Sequence, residues 1–343
     1  MKKTIFAFNF ILALSLCAGA QTKSNYKVSG KFSLEGDGGW DYITADDSTG
    51  RLFVSHGTIV QVVDAKSGKT IATIPDLKGV HGIALAPEFN KGFITNGKDS
   101  TVTVFDLKTY ATLAKVKVTG ANPDAILYDP FSKKLFIYNG RTSNATVMDA
   151  GSNKVVETIP LDGKPEFSVS DGKGKVYVNI EDKSEISMIN STTLKVEQTW
   201  SIKPGEEPSG LALDNTTHRL FSVTDKLMVI LDAQTGKVVT TLPIGERVDG
   251  VAFDPGVKRA YSSNGDGTMT VVQEGDANSF KVMENVVTQK GARTICVDKK
   301  THHLYLPTAE FGETPAKTND NPHPRPSVKP NSFVVLDIEP VKQ

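Results

Sequence analysis

The chain has 343 residues, 38% hydrophobic and 23% charged, enough to bury a large core and too apolar for a disordered polymer. Its 39 basic and 39 acidic residues cancel, so charge gives no reason to expect nucleic acid or an anionic membrane as partner. Two cysteines, Cys17 and Cys296, are too few for a disulfide framework.

The chain opens with Lys2 and Lys3, an apolar run over residues 5–16, and "AGA" before Gln21. This is the pattern of a secretory signal, here cleaved after Ala20. Asn9 and Ser15 interrupt a run already shorter than the roughly 20 apolar residues of a membrane span. Bulky Leu16 argues against lipid attachment at Cys17. The expectation is export to the periplasm or beyond, with residues 21–343 forming one domain. The mature chain then carries 37 basic and 39 acidic residues. Cys296, alone within "TICVD", reads as a small core hydrophobe.

From residue 50 onward the sequence repeats itself. "GRLFVSHGTIVQVVDAKSGKTIATI" is echoed by "KKLFIYNGRTSNATVMDAGSNKVVETI" and by "HRLFSVTDKLMVILDAQTGKVVTTL". Each copy alternates apolar and polar residues in three runs rich in Val, Ile, Phe and Tyr, separated by Asp, Asn, Gly and Ser. A fourth, shorter run precedes each trio: "YITAD", "GIALA", "AILYD", "FSVSD", "GLALD", "GVAFD" and "TICVD". Seven four-stranded units at a period of about 40 residues predict an all-β, seven-bladed β-propeller. No segment has a sustained helical pattern. The last unit runs out after "SFVVLDI", while "YKVSGKFSL" at 26–34 resembles the outer strands of other units. The N-terminal strand is therefore expected to complete the last blade and close the ring.

The segments "ANPDAILYDPFSKKLFIYNG", "EEPSGLALDNTTHRLFSVTD" and "GKVVTTLPIG" resemble the bacterial YVTN-repeat β-propeller family. The resemblance covers roughly residues 26–340 and implies an exported seven-bladed ring. It implies no single reaction, since similar rings serve as surface proteins, lactonases and lyases.

Because neighbouring strands alternate direction, the residue leading into each inner strand should line the mouth of the central channel. Read in order, these positions are Asp41, His81, Asp124, Glu166, Ser209, Asp249 and Arg293. Asp41, Asp124, Glu166 and Asp249 could hold a divalent cation, Ca²⁺ or Mg²⁺. His81, Asp124 and Glu166 are the candidates for acid–base catalysis, and Arg293 suits an anionic group. Ser209, Asp41, Asp249 and Arg293, with Trp40 as an apolar wall, are the candidate ligand contacts. The loops between second and third strands add His56 and Arg141 to that face. Asn96, Asn139 and Asn264, each followed by Gly, read as turn residues tolerant of positive φ. Recurrent aspartates (Asp64, Asp106, Asp149 and Asp232; Asp129, Asp214, Asp254 and Asp298) fall at turns of the opposite face and read as turn formers.

The last unit carries an insertion over residues 307–331 with six prolines, long enough to act as a lid. It could bring Glu310, Glu313 or His323 to the mouth. The sequence has no CxxCH, CxxC, HExxH or phosphate-loop motif. The functional expectation is a monomeric binding protein that holds a small molecule or a protein partner at its mouth. The alternative is a lactonase-like hydrolase or lyase using the same polar ring, with or without a cation.

Overall fold

The computed structural model describes residues 25–341 apart from 37, 319–323 and 325. Residues 1–20, read above as a secretory signal, and His323 lie outside the described residues. Seven four-stranded antiparallel sheets follow one another around a central channel, six of them built from four strands consecutive in the chain. The first blade runs Trp40–Asp46, Arg51–His56, Ile59–Asp64 and Thr70–Ile74. The seventh uses Cys296–Asp298, His303–Thr308 and Val334–Pro340, and takes its outer strand, Tyr26–Ser33, from the N-terminus. The ring is thus closed by pairing between the two ends of the chain, as the sequence implies. Tyr26 locks the seam: it is buried, its hydroxyl lies 2.7 Å from that of Tyr261, and Arg259 donates to it at 2.8 Å. The helical content of the described residues is two single 3₁₀ turns, Pro87–Phe89 and Glu181–Lys183.

The core consists of seven apolar clusters between adjacent blades. Phe53, Val60 and Ile74 of the first blade, for example, pack on Val80, Ile94 and Phe105 of the second. Each sheet buries both faces, so second and third strands are buried almost end to end, polar Thr95, Asn96 and Thr103 included, while the outer strand Thr112–Lys117 alternates between exposed and half-buried. Each such side chain contributes about 1.5–3 kcal/mol by leaving water.

The turns of one face are made by the recurrent aspartates, as expected. Asp64 accepts from the Ser67 amide at 2.9 Å, Asp149 from Ser152 at 2.8 Å, and Asp254 from Gly256 at 2.8 Å. The Asn–Gly pairs correct the sequence reading. Neither Asn nor Gly has positive φ at 96–97, 139–140 or 264–265. The asparagines instead end the second strands with buried side chains, Asn139 donating to Asn144 and Thr146 at 2.7 and 3.0 Å, and Asn264 to Thr268 and Thr270 at 3.0 Å. Their role is to brace the strand ends.

Candidate binding site at the channel mouth

The ring positions owe their direction to a repeated irregularity. In five blades the pairing of the inner strand slips by one residue, between Trp40 and Ile43, Val80 and Ile83, Pro123 and Ile126, Pro165 and Ser168, and Val248 and Gly250. Asp41, His81, Asp124, Glu166 and Asp249 each sit inside this bulge, which re-aims a side chain that regular pairing would hold in the sheet. They therefore lie within the strands rather than ahead of them. Ser209 and Arg293, in the blades with short inner strands, do precede their strands.

Hydroxyl groups fix the bulges to one another. Ser55 accepts from the Asp41 amide at 3.0 Å and donates to the Tyr42 carbonyl at 2.9 Å. Thr95 accepts from Gly82 at 2.8 Å and donates to the Asp124 carbonyl of the next blade at 2.6 Å. Ser263 donates to the Arg293 carbonyl at 2.5 Å, and Thr294 to that of Asp41 at 2.6 Å. The ring is a preorganised girdle whose members are held by their backbones.

The side chains converge. His81 Nδ1 lies 2.6 Å from Asp41 Oδ2 and 3.5 Å from Asp124 Oδ1. Arg293 pairs with Asp249 and reaches to 3.9 Å of Asp41 Oδ1. Ser209 donates to Asp249 Oδ1 at 2.5 Å. Glu166 is held by Lys164 at 2.7 Å, and Lys164 also binds Glu181. Of the four carboxylates expected to share a cation, the structure leaves Asp41 and Asp124 together beside His81. Glu166 and Asp249 are each engaged by a cationic side chain.

The electrostatics follow from crowding. Burial, and then the charge of Asp41, push the Asp124 carboxyl up to about 6. Burial and the nearby Asp124 raise Glu166 to about 7 despite its bond to Lys164. Burial acts to lower His81, but hydrogen bonding to Asp41 and the fields of Asp124 and Glu166 outweigh it and raise the imidazole.

Beneath the ring, Tyr42 of the first blade and Phe167 of the fourth stack across the channel with ring centroids 4.4 Å apart. Each follows a ring position directly. The corresponding residues of the other blades are Gly82, Ala125, Gly210, Gly250 and Thr294, all small. A Cβ on Gly82 would stand 2.8 Å from the Asp124 carbonyl oxygen, and one on Gly210 2.8 Å from the Val251 nitrogen, so neighbouring inner strands leave no room there. The two aromatics escape this by turning into the channel and floor the mouth. Above them opens a cavity of about 800 Å³ lined by eight carboxylates and three cationic residues, Lys164, Arg247 and Arg293.

Asp41, Asp124, Glu166, Ser209, Asp249 and Arg293 line this cavity, and His81 stands behind Asp41 and Asp124. Three candidates do not reach it. Trp40 packs on Phe311 and Phe333, at centroid distances of 6.0 and 5.3 Å, and so seats the base of the 307–331 insertion on the first blade. His56 is buried, stacked 4.0 Å from Phe333 with Nδ1 3.2 Å from Gln61. Arg141 is exposed at a turn. In each case the loop lies on the expected face but the side chain points elsewhere. The insertion is pinned at its base by a Phe311–Val328 bridge and a Lys329–Glu310 pair at 3.1 Å. None of its described residues, Glu310 and Glu313 included, lines the cavity.

Sequence reading missed Lys164, Tyr42 and Phe167. The signal for the aromatic floor was present: two bulky residues at a position small in every other blade. Lys164 carried no such mark.

The fold and site define a seven-bladed propeller with an acidic, aromatic-floored mouth. No family model matches the chain. Antigen Lp49 of Leptospira interrogans (serogroup Icterohaemorrhagiae, serovar copenhageni, strain Fiocruz L1-130) is 24% identical over 230 residues, 60% of this chain. The match spans about half of that protein, 48% of its length. Among solved structures, a chain of Kuenenia stuttgartiensis hydrazine synthase aligns with a TM-score of 0.69 at 17% identity, covering 85% of this chain and 96% of that one. A chain of the mitotic checkpoint complex gives 0.73 at 11%, covering 89% and 96%. U3-55K gives 0.75 at 9%, covering 92% and 99%. At these identities the likeness establishes the fold alone.

Proposed function

We propose that this protein is an exported member of the YVTN-repeat propellers that binds a small, positively charged organic molecule at its channel mouth. One observation carries the reading: a cavity large enough for a metabolite presents eight carboxylates against three cations over an aromatic floor. An amine or quaternary ammonium group gains there from carboxylates at the wall and from the ring faces below. Export rests on the N-terminal signal pattern alone. A protein partner would present the same chemistry through a basic side chain.

Calorimetry with spermidine and choline as cationic probes, and succinate as an anionic one, tests the reading. Cation binding that weakens with added salt and in Glu166→Gln supports it, since screening and loss of charge act on the same contact. Binding of succinate alone, or of none of the three, overturns it.

A second reading, an acid–base hydrolase or lyase, draws on a different observation. Asp124 and Glu166 are raised to about 6 and about 7 beside His81, a range suited to proton transfer near neutral pH. Turnover abolished by Asp124→Asn with folding intact is the result that would favour it.

A further inference from the structure

We infer that Asp41, His81 and Asp124 form a site for one divalent transition-metal ion, of the zinc class, at the edge of the mouth. The site uses Asp41 and Asp124, two of the eight carboxylates that line the mouth, but it does not require the organic ligand proposed above.

These three residues come from successive blades at the same bulge position. Their ligating atoms, two carboxylate oxygens and one imidazole nitrogen, all lie within 4.8 Å of one another. The donors are built in place. Thr294 and Thr95 hold the Asp41 and Asp124 carbonyls. The Nε2–Cδ2 side of the imidazole abuts Gly97, where a Cβ would stand 2.8 Å from Nε2 and 2.9 Å from Cδ2. Only glycine leaves that seat open, and the seat turns Nδ1 toward both carboxylates.

A separate observation points to a ligand here. The Tyr42 hydroxyl is buried without a hydrogen-bond partner in the structure, and the Asp124, Glu166 and Asp41 carboxylates and the Arg293 guanidinium all act on it. A buried donor left unsatisfied costs about 1–3 kcal/mol. With an ion held by these carboxylates, the hydroxyl could ligate it through oxygen or donate to a water bound to it.

The donor set selects the metal. Ca²⁺ and Mg²⁺, the ions expected from carboxylates alone, take oxygen ligands. An imidazole with two carboxylates suits Zn²⁺ or its first-row neighbours. Glu166 and Asp249 are left out of the set because each is already engaged by a cationic side chain, Lys164 or Arg293. Metal at Nδ1 also displaces the hydrogen bond between His81 and Asp41.

The test is calorimetric titration of the full chain, stripped with chelator, using Zn²⁺ alone. The expected result is one ion per chain. Asp124→Asn and His81→Gln should each weaken binding by more than about tenfold, the lower bound for loss of even an outer-shell partner. His302→Gln serves as control, because His302 pairs with Asp254 at 2.7 Å on the opposite face and should leave affinity unchanged. A Zn²⁺-induced shift of the His81 ring nitrogens in the wild-type spectrum reports the same event without any substitution. Absence of binding, or binding with unmoved His81 resonances and equal affinity in Asp124→Asn, overturns the assignment.

Discussion

Asp129, on one face of the propeller, accepts from the Ser132 amide at 3.0 Å and from the Ser170 hydroxyl at 2.5 Å. Asp124, five residues earlier on the same strand and at the opposite face, meets other carboxylates and an imidazole instead. Both are removed from water, and burial alone would raise both. The donors around Asp129 reverse that and hold its carboxyl below the usual range, whereas the charge of Asp41 adds to it at Asp124 and takes the carboxyl to about 6. The contrast recurs along each face, with Asp47 and Glu274 raised by burial as exceptions on the turn side. Asp64, Asp106, Asp149, Asp214 and Asp232 are all lowered by backbone and hydroxyl donors, while Glu166 at the mouth is raised. The same residue type thus stabilises turns on one side and stores unfavourable charge on the other. Sites that sacrifice stability for ligand chemistry have this signature.

The sharpest way to separate the faces is Asp129→Ala. It leaves the Ser132 and Ser170 donors buried without their acceptor and should cost about 1–3 kcal/mol in denaturant unfolding. Binding at the mouth should be unaltered. A cost below about 0.5 kcal/mol would deny that these aspartates hold the fold.

Asp124→Asn should act with the opposite sign, stabilising the metal-free protein by about 1 kcal/mol above pH 7 once solvent screening is allowed for. The pH dependence carries the same message. Asp124 at about 6 and Glu166 at about 7 lie above their ordinary 3.8 and 4.5, so the folded chain holds more protons than the unfolded one between those values. Stability from this source is full at lower pH and is lost as pH rises through the folded values. The turn aspartates, lowered from 3.8, contribute fully above that value and are lost as pH falls below it. Urea midpoints of wild type and the Asp124→Asn, Glu166→Gln double variant, followed across pH, should differ on the neutral limb and coincide on the acid limb. Parallel curves throughout would remove the distinction between the faces.

The smallest effect belongs to Arg141→Ala. An exposed turn residue outside the cavity should change neither stability nor binding by more than about 0.5 kcal/mol. A larger loss of affinity would show that the mouth extends to this loop.

The propeller itself was legible before any coordinates. Alternation with period 2, Asp- and Gly-rich turns and a recurring unit of about 40 residues are local signals, and seven copies reinforce one another. Ring closure was legible for a similar reason, since "SFVVLDI" ends one strand short and "YKVSGKFSL" supplies one too many. The turn aspartates were legible because they recur, and the mouth positions because they occupy a recurrent place with non-recurrent residues.

The site within that mouth was not legible in the same way. Trp40 and His56 stand in loops of the right face, yet both turn toward Phe333, a residue of the last blade. Tyr42 meets Phe167 only because the first and fourth blades face each other across the channel. The selection of Asp41, His81 and Asp124 from seven ring members depends on which neighbours Lys164 and Arg293 claim. By itself, the sequence determined the number of blades, the closure of the ring and the face that carries its variable polar residues. These follow from the period of the pattern and the alternation of strand direction. Only the tertiary structure decided which side chains converge, because convergence depends on bulge geometry and on distances between residues far apart in the chain.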